Sequence, residues 1–355
     1  MRIKYCLIIV FLFAFCKLFA QLDPQFSFFP YTQPYFNPGA MGENEKHLNF
    51  IGILRQGNIL MREKDETATQ EGITNNSDNN KNNKPGKPVY NKYDQQQVLI
   101  HLDSYIKQIR GALGIMFLKD KNGIHDNIGF RLGYASKFRV RGGRLGVGIQ
   151  FGFLNQKPDE AKWKPNQTGD PTIALAKESF LDFDINFGLH YKAPTWYVGV
   201  SGTQLLRGIR VSGEENLLRI PRQLYISGGY IWDLKTPVPW SIEPHVLIQT
   251  DFATWHLHLM ALARYNGILW FGVSYQLDNG IAALFGATPF YNDSNEFLKG
   301  LEIGVAYTFQ TTKYAWKAGG SWGDFELVVR YGFNFYKEKA LTGYGSSRRL
   351  YQNQY

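Results

Sequence analysis

Residues 325–336 read F-E-L-V-V-R-Y-G-F-N-F-Y. Every odd position from Phe325 to Phe335 is apolar, whereas the even positions include Glu326 and Arg330. A repeat of two places these sets on opposite faces of a β-strand, and a tilted strand that crosses a bilayer needs about 9 to 11 residues. The segment therefore predicts a transmembrane strand with an apolar face toward lipid and with Glu326 and Arg330 toward an interior.

The same alternation recurs along most of the chain and predicts fourteen strands. An even number is what a single-chain barrel of the bacterial outer membrane requires, and the segments run near twice the 5 to 6 residues or so of strands in soluble proteins. The sequence thus predicts an all-β fold, an antiparallel transmembrane β-barrel of about 14 strands, in which the last strand pairs with the first near Leu48. The predicted strands are residues 47–58, 97–106, 110–118, 128–140, 143–154, 181–191, 195–205, 223–233, 239–250, 254–265, 267–277, 279–289, 300–310 and 325–336.

The composition favours a barrel over a bundle of transmembrane helices. The chain has 36 Gly, 26 Phe and 21 Tyr, yet its mean hydropathy is only −0.29. Helical spans would show apolar runs of about 18 residues or more, and beyond the N-terminus the sequence has none. In a barrel, lipid-facing and lumen-facing residues alternate and cancel in such an average.

Residues 1–20 have the three parts of a secretory signal. Arg2 and Lys4 precede an apolar stretch, and the small residue Ala20 stands at the expected cleavage site before Gln21. Both cysteines lie inside this segment, so the exported chain is expected to have no disulfide, thiol chemistry or cysteine-bound metal. The chain is expected in the cell outer membrane as a multi-pass β-barrel.

The exported chain divides into an arm, a barrel and a tail. Residues 21–46 are predicted to form an extended N-terminal arm, because four prolines spaced among aromatic residues exclude a helix or a central strand. The barrel is expected over residues 47–336. It is interrupted by a polar loop, residues 62–96, which is too poor in apolar residues to order itself and is expected to be mobile. Residues 337–355 form a basic, tyrosine-rich C-terminal tail, expected on the periplasmic side.

The net charge indicates which kinds of partner the barrel binds. The formal net charge is +9, and removal of the signal would leave +6. A basic balance can indicate nucleic acid, but an exported chain rarely meets it. Anionic headgroups of outer-membrane lipid or an acidic protein partner are therefore expected instead.

Short motifs stand at both ends of the exported chain. They are D-P-Q-F-S, then N-P-G-x-x-G, then R-Q in the first strand, and finally G-S followed by an aromatic strand. Their residues are Asp23, Pro24, Gln25, Phe26, Ser27, Asn37, Pro38, Gly42, Arg55, Gln56, Gly320, Ser321, Glu326 and Phe335. These motifs resemble those of the PorP/SprF family, outer-membrane proteins of the Bacteroidota type IX secretion system that also serve gliding motility. The sequence departs from that pattern at Gly39, where the family has Ala.

The resemblance implies a non-enzymatic outer-membrane barrel without cofactors. Such a barrel would act as a scaffold or docking site for secreted surface cargo, or for periplasmic ring or peptidoglycan-anchoring proteins of the secretion system. The motif residues would then serve partner binding or structure. Two alternatives stay open: an outer-membrane porin for small solutes, and an accessory barrel subunit of another outer-membrane protein complex.

Acidic and histidine side chains on lumen-facing positions raise the further alternatives of a metal site or a barrel hydrolase. Because barrel interiors are polar and their groups satisfy one another, we expect neither a metal nor a catalytic site from them. The residues concerned are Asp182, Asp184, His190, Glu243, His245, His256 and His258. Lumen-facing arginines are likewise expected to form ion pairs rather than an anion path. These are Arg131, Arg139 and Arg330, with Asp182, Asp184 and Glu326 as expected partners.

Overall fold

The structure is a computed structural model, and it describes residues 24–43, 47–57, 63–64, 90–91, 95–122, 125–158, 179–206, 209–212, 221–234, 236–237, 239–277, 279–291, 298, 300–311 and 323–334. One helical turn, α1 (Gln33–Phe36), and two 3₁₀ turns, Pro38–Ala40 and Lys107–Ile109, accompany eighteen strands in this part of the chain. The strands are β1 (His47–Gly57), β2 (Glu63–Lys64), β3 (Tyr90–Asn91), β4 (Gln95–Ile106), β5 (Gly111–Asn122), β6 (His125–Val140), β7 (Gly143–Pro158), β8 (Phe180–Lys192), β9 (Trp196–Thr203), β10 (Ile209–Ser212), β11 (Gln223–Tyr230), β12 (Trp232–Leu234), β13 (Trp240–Thr250), β14 (Trp255–Tyr265), β15 (Leu269–Gln276), β16 (Gly280–Ala287), β17 (Leu301–Gln310) and β18 (Asp324–Asn334).

Fourteen of the described strands form one closed antiparallel barrel, as the alternation predicts. The order around the barrel is β1, β4 to β9, β11 and β13 to β18. β1 pairs with β4 on one side and with β18 on the other, so Leu48 lies opposite Phe333. The predicted closure between the first and the last strand is therefore confirmed, and it removes the free edges of the sheet. Among the remaining strands, β10 extends β8, β12 extends β13, and β2 pairs only with β3.

The two faces of the wall differ in polarity along each strand. On β18, 38% of Phe325 is exposed, whereas its neighbour Glu326 is fully buried. On β7, Phe151 and Phe153 are exposed on either side of the buried Gly152. Large apolar side chains repeat in this way around the whole exterior, and a contiguous apolar surface of that extent is typical of contact with lipid rather than with water.

The barrel has two unlike ends. We call the end with His47 and Asn334 the near end, and the end with Gly57 and Asp324 the far end. The three longest connections between barrel strands, residues 58–94, 159–179 and 204–222, all lie at the far end. Near-end connections include the short turns at residues 107–110 and 141–142. The difference between the ends is not uniform, because residues 123–124 and 251–254 are short far-end connections and residues 288–300 are a longer near-end connection.

The N-terminal arm corrects one sequence prediction. The prolines were expected to exclude a helix, but Gln33–Phe36 form one α-helical turn and Pro38–Ala40 a 3₁₀ turn. Each proline stands at the start of its turn, where the missing N–H has no intrahelical partner to lose. The arm therefore contains two short helical turns between its far-end and near-end contacts.

None of the described helices is long and apolar enough to cross a membrane. The expected signal, residues 1–20, and the tail, residues 337–355, lie outside the described residues. The same holds for the polar loop, residues 62–96, apart from the backbone of β2 and β3 and the start of β4.

Candidate functional site

The described part of the arm, residues 24–43, lies inside the barrel. Phe28 is fully buried and makes an edge contact with the Trp270 ring, with 5.8 Å between ring centroids. Phe36 stacks on Tyr225 at 5.4 Å. Apolar arm residues and lumen-facing strand residues thus form one hydrophobic core. The aromatic surface that the arm cannot bury by itself is buried against the inner wall.

A group of hydrogen bonds and ion pairs, which we call the far-end anchor, fixes the start of the arm. It consists of Gln25, Ser27, Arg55, Asp324 and Glu326. The Ser27 backbone N–H donates to both Glu326 carboxylate oxygens at 3.0 and 2.8 Å, and the Ser27 hydroxyl donates to Oε1 at 2.8 Å. Arg55 donates to the Gln25 carbonyl and to Asp324, and its Nε lies 3.7 Å from Glu326 Oε1.

The pairing of β1 with β18 creates this anchor. Arg55 and Glu326 are direct partners in the register of these two strands, and both point into the lumen, where they are almost completely buried. A buried carboxylate needs a cation and hydrogen-bond donors. Glu326 obtains the cation from the neighbouring strand and its donors from Ser27 of the arm.

A second ionic group holds the middle of the arm. The Tyr31 hydroxyl donates to Glu302 Oε1 at 2.9 Å. Arg264 bridges Glu302 and Glu243, at 2.9 and 3.0 Å, and Arg330 lies 3.6 Å from the other Glu302 oxygen. Burial, with a further contribution from Glu302, raises the pKa of the Tyr31 hydroxyl well above its ordinary value. The hydroxyl therefore stays protonated and keeps its donor role.

The segment Asn37–Gly39 touches the wall where the wall lacks side chains. The Asn37 amide donates to the Leu189 carbonyl at 3.0 Å, and Lys137 Nζ donates to the Gly39 carbonyl at 2.8 Å. A Cβ built at Gly148 would stand 2.3 Å from the Pro38 carbonyl carbon. Equally close contacts would arise at Gly146 and Gly188. These wall glycines are needed because the arm lies directly against them, with its backbone at Gly146 and Gly148 and with the Asn37 side chain at Gly188.

The end of the arm is held at the near end of the barrel. Gly42 has φ +64, and its N–H donates to the Asp103 carboxylate. Glu43 pairs with Lys192 at 2.5 Å. Burial alone would raise the pKa of Glu43, but the charge and hydrogen bond of Lys192, together with other basic groups nearby, outweigh that effect and lower the pKa to about 2. Glu43 is thus an anion that the barrel wall holds.

The structure brings most of the motif residues together around the arm. Gln25, Ser27, Arg55 and Glu326 meet in the far-end anchor, and Phe26 packs edge-on against Tyr35 at 6.1 Å. The others lie as follows: Pro24 half-buried beside the anchor, Asn37 and Pro38 against the glycine wall, Gly42 at the near end, and Gln56 on the opposite face of β1 from Arg55. The motif residues Asp23, Gly320, Ser321 and Phe335 lie outside the described residues.

Several residues of the site were missed by the sequence reasoning. Asp324 directly precedes the closing strand segment and completes the anchor, while Tyr31 and Glu302 meet across the lumen. Alternation would place Glu302 on an inner face, but it gives no information on which strand lies opposite. That information exists only once the barrel is closed around the arm.

The acidic and histidine residues considered for catalysis do not form one cluster, although His245 Nε2 lies 4.0 Å from a Glu243 carboxylate oxygen. Asp182 and His190 stand eight positions apart on β8, and Asp182 accepts from Gln156 at 2.7 Å. His258 lies 2.6 Å from the Ser274 hydroxyl, and His245 lies 3.2 Å from the Tyr197 hydroxyl. Within the described ranges, no three His, Cys, Asp or Glu residues lie close enough to hold a metal.

The lumen arginines partly depart from the expected pairing. Arg330 contacts Glu302, its direct partner in the β17–β18 register, and its guanidinium lies over the Tyr31 ring of the arm at 5.6 Å. Glu326, the expected partner, accepts from Ser27. Arg131 donates to the Tyr35 carbonyl at 2.9 Å and lies over the Tyr35 ring at 4.9 Å. These arginines thus hold the arm.

The fold and this site define a class: an outer-membrane-type β-barrel whose lumen is occupied by its own N-terminal arm. Residues 87–331 match the family model described as "Type IX secretion system membrane protein PorP/SprF". The match covers more than half of the chain, and the chain belongs to this family of secretion-system membrane proteins, which is not an enzyme class. The matched region begins after β1, so the arm and Arg55 stand outside it.

Solved outer-membrane barrels are similar to the chain at low identity. The CymD monoaromatic hydrocarbon channel is 13% identical, with 89% of this chain and 95% of that chain covered and a TM-score of 0.45. The Pseudomonas putida toluene transporter TodX is 10% identical (90% and 100% covered, TM-score 0.42). The Ralstonia pickettii toluene transporter TbuX is 13% identical (86% and 93% covered, TM-score 0.42). No curated protein matched the chain.

Proposed function

We propose that this chain is a closed, non-enzymatic barrel of the type IX secretion and gliding machinery, which acts as a scaffold or docking site rather than as a pore. The observation that carries the proposal is the arm, which occupies the lumen and is bonded to the wall at the far end, in the middle and at the near end. A diffusion pore would need that space for water and solute.

The fit between arm and wall supports a permanent closure. A barrel of this size has more internal space than its own wall side chains fill, since barrels of about eight strands are already filled by theirs. Here the extra space holds arm residues such as Phe28 and Met41, both completely buried. One described lumen cavity, which Tyr31 and Trp196 help to line, measures about 100 Å³. It has room for a few water molecules but not for a solute path.

The orientation follows from the connections. Outer-membrane barrels have short periplasmic turns and longer extracellular loops, so the far end is the extracellular one in this proposal. Export would proceed through a signal cleaved after Ala20. The start of the arm is then presented at the extracellular mouth, where secreted cargo is available. The near-end turns and the tail, residues 337–355, face the periplasmic ring and peptidoglycan-anchoring proteins.

Substitutions that displace the arm test directly whether the arm closes the barrel lumen. The double variant Gly148→Ala/Gly188→Ala adds two methyl groups where the arm lies against the wall. Gly228→Ala is the matched control, since a Cβ there meets its nearest atom only at 3.6 Å. We expect silent planar-bilayer recordings from the wild type and the control, and an open conductance from the double variant. A steady conductance from the pure wild-type protein would support the porin alternative.

Pull-down from mild detergent tests the docking role. Wild type and Gly228→Ala should co-purify secretion components or surface cargo, and the double glycine variant and a chain without residues 21–42 should lose them while still inserting as barrels. Heat-dependent mobility on gels verifies that each barrel is folded. Normal partner recovery and normal secretion by both arm variants would exclude the role assigned to the arm.

A further inference from the structure

Two neighbouring turns at the near end carry clustered basic residues. The first turn follows β4 and carries Lys107 and Arg110, and the second joins β6 to β7 and carries Arg141. We call these three residues the basic rim, and all three are exposed. Arg139 and Arg144 flank the second turn as direct partners in the β6–β7 register, on the face opposite to the lipid-facing Phe138. The sequences of the two turns, K-Q-I-R and R-V-R-G-G-R, contain no acidic residue.

The backbone holds the two turns side by side. The Lys137 N–H donates to the Arg110 carbonyl at 3.2 Å, which ties the β6–β7 hairpin to the preceding turn. Arg110 and Arg141 both have positive φ, 50 and 45, at the tips of their turns. The backbone hydrogen bond therefore keeps the two basic turns next to each other at this end of the barrel.

Aromatic side chains place this patch at the edge of the bilayer. The Tyr134 hydroxyl donates to the Ile109 carbonyl at 2.9 Å, and the Tyr191 hydroxyl donates to the Val140 carbonyl at 3.1 Å. Tyr191 also contacts the ring of Trp196, 42% of which is exposed. Tyrosine and tryptophan side chains that bond to turn carbonyls at a barrel end are typical of the belt at the membrane–water boundary.

Lipid-facing residues continue to the base of the same two turns. Ile109 is 42% exposed, Leu113 49%, Phe138 50% and Val140 40%. The basic rim therefore begins where the acyl-chain surface ends, which is the depth of the phosphate groups. Asp103 and Glu43 at this end are bonded to the arm's Gly42 and to Lys192, so their carboxylates are engaged with the arm region.

We propose that the basic rim binds the phosphates of anionic phospholipids, such as phosphatidylglycerol, in the leaflet at the near end of the barrel. Guanidinium groups form paired hydrogen bonds with phosphate oxygens. A clustered set of basic side chains at the membrane surface attracts anionic lipid additively. The lipid would anchor this sector of the barrel at a fixed depth beside the periplasmic partners.

The test compares lipid retention by matched variants. Wild type, Arg110→Gln/Arg141→Gln and the control Lys119→Gln/Lys157→Gln, which removes two positive charges near the far end, are reconstituted in bilayers of phosphatidylcholine with one fifth phosphatidylglycerol. The lipid kept after mild detergent extraction is counted by native mass spectrometry, and heat-dependent mobility confirms folding. We expect wild type and control to prefer phosphatidylglycerol, and the arginine variant to lose about fivefold in preference per charge removed.

Other outcomes overturn the proposal. Equal retention of both lipids by the wild type would exclude an anionic lipid site. A preference that the arginine variant keeps would place the site elsewhere. In a second set of bilayers that contain both lipid A and phosphatidylglycerol, stronger retention of lipid A, lost in the arginine variant, would assign the rim to the lipopolysaccharide leaflet. Displacement of lipid by inorganic phosphate, beyond that by sodium chloride at equal ionic strength, would indicate a site for free phosphate.

Discussion

Arg55→Met is the substitution that tests the far-end anchor most directly. The side chain is 5% exposed and provides the positive charge beside Asp324 and Glu326, both of which are fully buried. Removing one partner of a buried ion pair costs about 3 to 5 kcal/mol, because the remaining charge stays buried. Here two carboxylates lose their cation, and the Gln25 carbonyl loses its donor. We therefore expect a loss at the upper end of that range.

The loss should be reversible by neutralising the carboxylates. In Arg55→Met/Asp324→Asn/Glu326→Gln, the buried charges are removed together, which is often close to neutral for stability. The glutamine side chain that replaces Glu326 keeps a carbonyl oxygen for the Ser27 N–H, so most of the arm contact survives. The triple variant is thus expected to recover all but about 1 to 2 kcal/mol, the size of a charge-assisted hydrogen bond.

Guanidinium unfolding in detergent micelles measures both variants, with tryptophan fluorescence as the signal. The transition midpoint reports stability when the slope is unchanged. A protease digest of the folded protein shows at the same time whether the arm has become accessible. The reasoning is refuted if Arg55→Met costs less than about 1 kcal/mol, well below the range for a broken buried ion pair, or if the triple variant is no more stable than the single one.

Three further predictions concern other parts of the arm. Gly148→Ala should expose the arm to protease in the folded barrel whereas Gly228→Ala should not, and equal digestion of the two would contradict the close backbone contact. Tyr31→Phe should lower the unfolding free energy by about 1 to 2 kcal/mol through loss of the bond to Glu302, and an unchanged midpoint would refute that role. Glu43 has a pKa lowered from 4.5 to about 2, so its stabilising pair with Lys192 is complete above pH 4.5 and is lost as the pH falls toward 2. The pKa shift corresponds to about 3 kcal/mol of stability at most, and the true contribution is smaller because 26% of the Glu43 side chain is exposed. The difference in unfolding free energy between wild type and Glu43→Gln should therefore shrink as the pH falls from about 5 to about 3. A difference that stays constant over this range would contradict the assignment.

Strand positions and the closure of the sheet could be predicted because they depend on local alternation. Fourteen predicted segments correspond to the fourteen barrel strands, and the closing pair joins residues near Leu48 and Phe333 as expected. The alternation of apolar and polar residues with a period of two can be read from the sequence alone. Lipid-facing positions are apolar because of the lipid, and this does not depend on which residues lie across the barrel. Turns such as α1 were missed because a proline excludes a helix interior but not its first turn.

The contents of the lumen could not be predicted in the same way. The sequence showed an arm with prolines spaced among aromatic residues and several inward-facing charges, but not which residues are in contact. Ser27 and Glu326 are separated by 299 positions, and their contact depends on the curvature of the barrel and on the path of the arm inside it. The sequence alone determined a membrane barrel with a polar interior, because local periodicity decides the two faces of a strand. Only the tertiary structure decided that the arm fills the interior, since that depends on long-range packing between the arm and the wall.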